Sequence, residues 1–390
     1  MEQCFLEASN GQSLVSLWQT EFLPYFQDMI WIVGGGYKPF EDSLKLKEKL
    51  VELVGEADAN ALLSNLSTEK ELMASMGPVV GISKVTHGEM SREEYLRRYG
   101  HRGPREMELS APRPAENPTW LDRQIEEFSK SPVDVDALLV NRRAEFEAAW
   151  QRFAKRFPRQ ARKLQRRVDA VGPAARMRED VRSEVTRIYG TVRAWAVRAG
   201  ELTGMGNGVF FLNLDELLAL LSGDDTAKQH IPARQETHAR YEALPPYPMI
   251  IRGSFDPFEW VADSNRRNDI YDATAAAPVS TSNTISGFAG ATGRVEGLVR
   301  VLDGPEQGDQ LQPGEILVAV TTNVGWTPLF PRAAAVVTDV GAPLSHAAIV
   351  ARELGIPAVV GCGSATTRLR TGARIRVDGG RGTVEILESA

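Results

Sequence analysis

Apolar side chains along this chain follow two patterns, a helical spacing up to about residue 220 and a strand-like clustering after residue 285. Phe146, Trp150, Phe153 and Phe157 step by 4, 3 and 4, which places the aromatics on one helical face. Met177, Val181, Val185, Ile188, Val192 and Trp195 repeat that pattern over about five turns. Both stripes read as core. "EDSLKLKEKLVELVG" (41–55) and "SREEYLRRYG" (91–100) are further amphipathic helices. "VGGGYKPF" (33–40) lacks the Gly-Lys-Ser/Thr ending of a phosphate loop and reads as a helix stop and turn. "SAPRPAENP" (110–118) reads as loop, and 224–290 as largely irregular.

Beyond residue 285, short apolar runs alternate with turn residues and one compact helical stretch. "AAAVVTD" (333–339) and "AVVG" (358–361) have the composition of buried strands. Between them, Pro343 suits a first helical turn, Ala347 through Leu354 continue it, Gly355 supplies the left-handed stop and Pro357 prevents continuation. The small-residue run "DATAAAPVSTSNTISG" is the best linker. The expected fold class is therefore α+β: a mostly helical region over 1–275, a linker at 276–288 and a compact α/β domain over 289–390.

Composition narrows the function classes. With 390 residues, 43% apolar side chains and a net charge of −6, the chain has room for two or three domains. No overall basic surplus points to nucleic acid, although arginines cluster between 152 and 198. The start lacks a signal-peptide layout and no run of 18 apolar residues suggests a membrane span, so neither a nucleic-acid nor a membrane partner is expected. Cys4 and Cys362 are too few for a disulfide framework or a cysteine metal site. The expectation is a cytoplasmic protein with no metal and no cofactor.

The chemistry centres on "GAPLSHAAIVARELGIPAVVG" (341–361), where His346 opens the helix. A helix N-terminus favours an anion held by a side chain of its first turn, so a phosphoryl group on His346 would sit well there. The alternative is a surface histidine capping its own helix. Ser345 is either a helix-start residue or a second hydrogen-bonding group on the phosphoryl or substrate.

This stretch and its surroundings, 314–387, resemble the phosphohistidine swivelling domain of phosphoenolpyruvate-utilising enzymes. The resemblance implies that the histidine matching His346 accepts a phosphoryl group from ATP or phosphoenolpyruvate, and that a mobile domain carries it elsewhere. "YGHRGPREMELSAPRP" (99–114), with His101, Arg102, Arg105, Glu106, Glu108 and Arg113, resembles the substrate-binding region of rifampin phosphotransferase-like and phosphoenolpyruvate synthase-like chains. In "RMREDVRSEV" (176–185), Arg178 and Arg182 share a helical face with Glu179 and Asp180 between them. They are either surface ion-pair formers or a cationic rim facing the histidine. Arg252 is a pocket residue or the partner of a turn-stabilising ion pair with Asp256.

The ATP-grasp module of these relatives does not fit in the available residues, which sets up two readings. In the first, which the sequence favours narrowly, the chain is an ATP-independent lyase or cyclase acting on a bulky, polyketide-like substrate by dehydration or cyclisation. His346 serves as general acid or base with Arg178, Arg182, His101 and Glu106, while Arg102, Glu108, Asp180, Arg252 and Ser345 bind substrate. In the second, the chain is the acceptor and histidine-domain subunit of a split phosphotransferase whose ATP-grasp part is a separate protein. A catalytically idle binding or regulatory protein is a third possibility. On either of the first two readings the isolated chain is expected neither to bind ATP nor to take phosphate from it.

Overall fold

Between residues 158 and 203 the chain forms one helix of 46 residues, Pro158–Thr203, with proline at its first turn and Gly204 in the left-handed conformation at its end. The structure, a computed structural model, describes residues 1–390 except 36, 65, 67–71, 118, 131–133 and 276–281. The helix stop and turn expected over 33–40 is corrected: its described residues close the helix Leu23–Gly35 and open the helix Tyr37–Leu62, while residue 36 lies outside the described residues. Gly55, where "EDSLKLKEKLVELVG" ends, has a φ of 79° and breaks the second of these.

The first aromatic stripe is core. Helix Val135–Arg156 buries Phe153, with Phe146, Trp150 and Phe157 packed on the same cluster. The second stripe holds only in its later half. Ile188 and Trp195 pack with Leu14, Trp18 and Leu217, whereas Met177 is 44% exposed. At the earlier turns the buried positions are Glu179, Ser183 and Thr186. Here the helix meets charged and polar groups of the 101–106 segment, so its buried side is polar. The 224–290 stretch is also more regular than expected: Ile231–Glu242 is a helix with Pro232 in its first turn. Among the described residues no helix is long and apolar enough to cross a membrane.

Strands β1 (Ile250–Arg252) and β2 (Ile270–Asp272) form a separate parallel pair. The remaining strands are β3 (Thr284–Ser286), β4 (Phe288–Ala291), β5 (Arg294–Val301), β6 (Ile316–Ala319), β7 (Ala335–Thr338), β8 (Ala358–Val360), β9 (Arg374–Asp378) and β10 (Thr383–Glu388). They make one sheet in the order β3-β10-β9-β5-β6-β7-β8-β4. Strands β5 to β8 run parallel and the outer ones antiparallel. Strands β6, β7 and β8 are buried at every position, as uninterrupted apolar strands in a parallel sheet must be. The linker expected over 276–288 is corrected in its second half: β3 pairs with β10, and Phe288 already belongs to β4. Its first half lies outside the described residues.

The two parts share one continuous apolar core. Leu62, Leu66 and Phe153 of the helical region cluster with Ile349, Val350 and Leu354 of the helix His346–Leu354. Polar contacts add to it. Arg332 reaches Glu127 at 2.9 Å, and the Leu66 amide donates to the buried Glu353 carboxylate at 3.2 Å. The Asn323 side-chain amide donates to the Pro104 carbonyl. Gly325 lies so close to the same loop that a Cβ there would stand 2.6 Å from Pro104 Cα. The sheet domain is thereby seated on the 101–106 segment.

Candidate active site

His346 is the first residue of its helix, after a Ser345 N-cap whose side chain makes no cap hydrogen bond. Its ring is held on both sides. Thr322 Oγ1 lies 3.1 Å from Nδ1 and Thr327 Oγ1 lies 3.2 Å from Nε2. Phe330 meets the imidazole edge to face, with centroids 6.0 Å apart. Thr327 and Phe330 come from the 3-10 segment Val324–Arg332, which Asn323 caps by accepting from the Gly325 amide.

The surroundings are cationic. Burial, together with the charges of Arg182 and Arg102, pushes the His346 pKa down to about 3. The imidazole is therefore neutral at physiological pH, although part of the residue's surface remains accessible. Arg178 approaches the Leu344 carbonyl, two residues before His346, at 3.5 Å, and pairs with the buried Glu179 at 3.2 Å. Glu106, 2% exposed, accepts from Arg102 Nε at 2.7 Å and lies 3.5 Å from Arg182. One carboxylate thus braces two guanidinium groups that bear on the histidine.

Three buried polar atoms around this site have no hydrogen-bond partner among the described residues: Arg102 Nη1, Arg182 Nε and Ser345 Oγ. Unpaired buried donors carry a desolvation cost that a bound anion or polar ligand would relieve. A small apolar cavity of about 30 Å³ lies alongside, lined by Leu66, Val171, Ala175, Arg178, Leu344 and Ile349, among others.

The remaining expected site residues differ in their surroundings. His101 Nε2 bonds Ser183 Oγ at 2.8 Å, and burial with Arg187, Arg102 and Arg113 nearby lowers its pKa to about 3. Glu108 is occupied by the backbone and hydroxyl of Ser110. Asp180 is exposed on the long helix, its carboxyl raised by partial burial. Arg252 stands apart from the cluster, exposed on β1 and paired with Asp272 at 3.1 Å. The expected pairing with Asp256 is corrected, because that carboxylate caps the helix Pro257–Ala262. The structure thus groups His346, Ser345, Arg102, Glu106, Arg178 and Arg182. Sequence reasoning missed Thr322, Thr327 and Phe330, whose spacing within "TTNVGWTPLF" has neither helical nor strand period.

Two family descriptions match separate stretches of the chain. Residues 311–382 match the family described as PEP-utilising enzyme, mobile domain, and residues 43–179 match the rifampicin phosphotransferase fourth domain. An uncharacterized protein of Mycobacterium tuberculosis is 33% identical over 302 residues, covering 75% of this chain and 30% of that one. A prodigiosin synthesizing transferase of Serratia marcescens is 32% identical over 306 residues, covering 75% and 33%. A rifampicin phosphotransferase of Streptomyces sviceus is 32% identical over 337 residues, covering 78% and 36%. The chain spans about a third of the length of these relatives. In its histidine domain and in its helical region alike, this chain resembles the phosphoenolpyruvate-utilising enzymes.

Proposed function

We propose that the chain carries the phosphoryl-accepting histidine and the acceptor side of a phosphotransferase-type reaction on a bulky, largely apolar substrate. The observation that carries this reading is a neutral imidazole at a helix N-terminus, beside Arg102 and Arg182, each with one buried nitrogen that lacks a partner. A pKa of about 3 leaves roughly one His346 in 10⁴ protonated at pH 7. That makes a poor proton donor and leaves a ring-nitrogen lone pair free for attack. The guanidinium groups that disfavour an imidazolium favour a dianionic phosphoryl group in the same place.

In the first half-reaction the free imidazole nitrogen attacks phosphorus, an N–P bond forms, and the donor's P–O bond breaks with the electron pair leaving on the donor oxygen. The other ring nitrogen keeps its proton on a threonine hydroxyl. In the second half-reaction the N–P bond breaks, a hydroxyl of the acceptor takes the phosphoryl group, and its proton leaves to water. The apolar cavity beside Arg178 is too small for the acceptor's body, which would lie in the open groove along Leu46, Ala170 and Ala174 that shares part of its lining.

A second reading keeps His346 as an acid or base in dehydration or cyclisation. It is favoured by the hydroxyl already present on each ring nitrogen, since a phosphoryl group must displace one of them. Relatives named for prodigiosin synthesis and as a chondramide synthase add to it. Phosphoramidate, a small phosphoryl donor, separates the two. Intact mass should show one acid-labile phosphoryl group, mapped to His346, absent in His346→Ala and slower to form in Arg182→Gln. Labelling of the exposed His87, His230 and His238 without His346 would remove the phosphoryl reading.

A further inference from the structure

The start of the long helix is a ridge of unpaired positive charge. Between residues 148 and 168 there are eight arginines and lysines and no acidic residue, in a chain whose net charge is −6. Arg152 pairs with Asp58. The other seven, Lys155, Arg156, Arg159, Arg162, Lys163, Arg166 and Arg167, have no carboxylate partner among the described residues; six are exposed and Arg167 is partly so. Five of them occupy the first three turns of Pro158–Thr203, where the positive end of the helix dipole already disfavours cations, and no acidic residue stands in its first turn. Local stability therefore does not account for this charge. A ridge this extended exceeds what one small anion can engage, and it fits the face of an acidic macromolecule.

The ridge ends at a groove that runs along the long helix towards Arg178. An open groove begins between Arg166 and Arg167, with Asp42 on its other wall, and runs past Ala170, Val171 and Ala174. It shares Ser43, Val171 and Ala174 with the apolar cavity that reaches Arg178 and Leu344. From Arg167 to Arg178 is eleven residues, about 17 Å of helix. The small side chains of Ala170 and Ala174 leave this groove open, with room for a slender flexible arm.

We propose that the ridge docks an acidic carrier protein, and that its phosphopantetheine-type arm lies in the groove and brings a tethered acceptor substrate to His346. The docking part stands on the ridge and groove alone, while the identity of the arm's cargo as acceptor rests on the phosphotransfer reading.

The test uses an acidic acyl-carrier protein with and without its thiol-ended arm. Calorimetry should show binding that weakens steeply with salt and falls at least tenfold in Arg159→Glu/Arg162→Glu/Arg166→Glu, with an intermediate loss for the corresponding Gln variant. Reversal of Arg143 and Arg374, elsewhere on the surface, should change little. With Cys4→Ser and Ala174→Cys, the arm-bearing form should give a disulfide cross-link and the armless form none. His346→Ala should leave docking and cross-link intact, so failure of the phosphotransfer reading would not imitate failure here. Absence of salt-sensitive binding, equal binding by the charge-reversed variant, no cross-link to position 174, or tighter ridge-dependent binding of duplex RNA or anionic vesicles would each overturn the proposal.

Discussion

Thr327 Oγ1 stands 3.2 Å from Nε2 of His346, the ring nitrogen farther from the histidine's own backbone. Thr322 holds the opposite nitrogen at 3.1 Å. If Nε2 is the nucleophile, Thr322 keeps the Nδ1 proton while Thr327 yields its place. Thr322→Val should slow phosphorylation by phosphoramidate by about fivefold, the equivalent of one lost hydrogen bond of about 1 kcal/mol. Thr327→Val should slow it less. Phosphorus NMR of the two variants and wild type checks the order, and equal losses would mean that the hydroxyls act only in packing.

The two buried histidines make stability depend on pH in a definite direction. His101 and His346 both fall from an ordinary 6.5 to about 3 in the folded chain. Between those values the unfolded chain binds more protons than the folded one, so their share of stability is present in full above about pH 6.5 and is lost as the pH falls towards 3. Urea midpoints measured from pH 7 to pH 4.5 should decline more steeply for wild type than for His101→Gln/His346→Gln. Parallel slopes would show that neither ring is held neutral.

Gly325 lies against the 101–106 loop, with no room for a Cβ against the Pro104 backbone. Gly325→Ala should cost about 1–3 kcal/mol by overpacking. It should also loosen the seating of Val324–Arg332 and with it the Thr327 contact. Denaturant unfolding measures the first effect. Hydrogen exchange at 101–106 measures the second, and should rise in the variant while the sheet core stays protected.

The histidine helix was legible because its signals are local: a proline in the approach, a glycine stop, and a second proline two residues beyond. The four-stranded parallel centre was legible for a similar reason, since strands buried on both faces are written as unbroken apolar runs. Glu179, Ser183 and Thr186 were not, because their burial is set by a loop some eighty residues earlier in the chain. By periodicity alone Met177 and Val181 are the better core residues, yet that part of the helix faces arginines and a histidine. Thr322 and Thr327 escaped for the same reason. Their role depends on a 3-10 turn folding back over His346, and nothing in their spacing announces it.

Glu106 offers the sharpest separation of structure from chemistry. It is buried, accepts from Arg102 at 2.7 Å and lies 3.5 Å from Arg182. It therefore holds the two guanidinium groups whose charges press on His346. Glu106→Gln keeps the shape and removes the charge, leaving Arg102 buried without its counter-ion, a change that typically costs about 3–5 kcal/mol when a buried pair is broken. If Glu106 positions Arg182, transfer of a phosphoryl group from His346 to acceptor should fall at least tenfold, with Glu106→Asp restoring part of it. Glu106→Gln should leave chemical phosphorylation of His346 measurable. If instead Glu106 is a proton-transferring base, Glu106→Asp should recover little, and the pH profile should lose a limb in Glu106→Gln. The rate of acceptor phosphorylation against pH in the three proteins distinguishes a brace from a base.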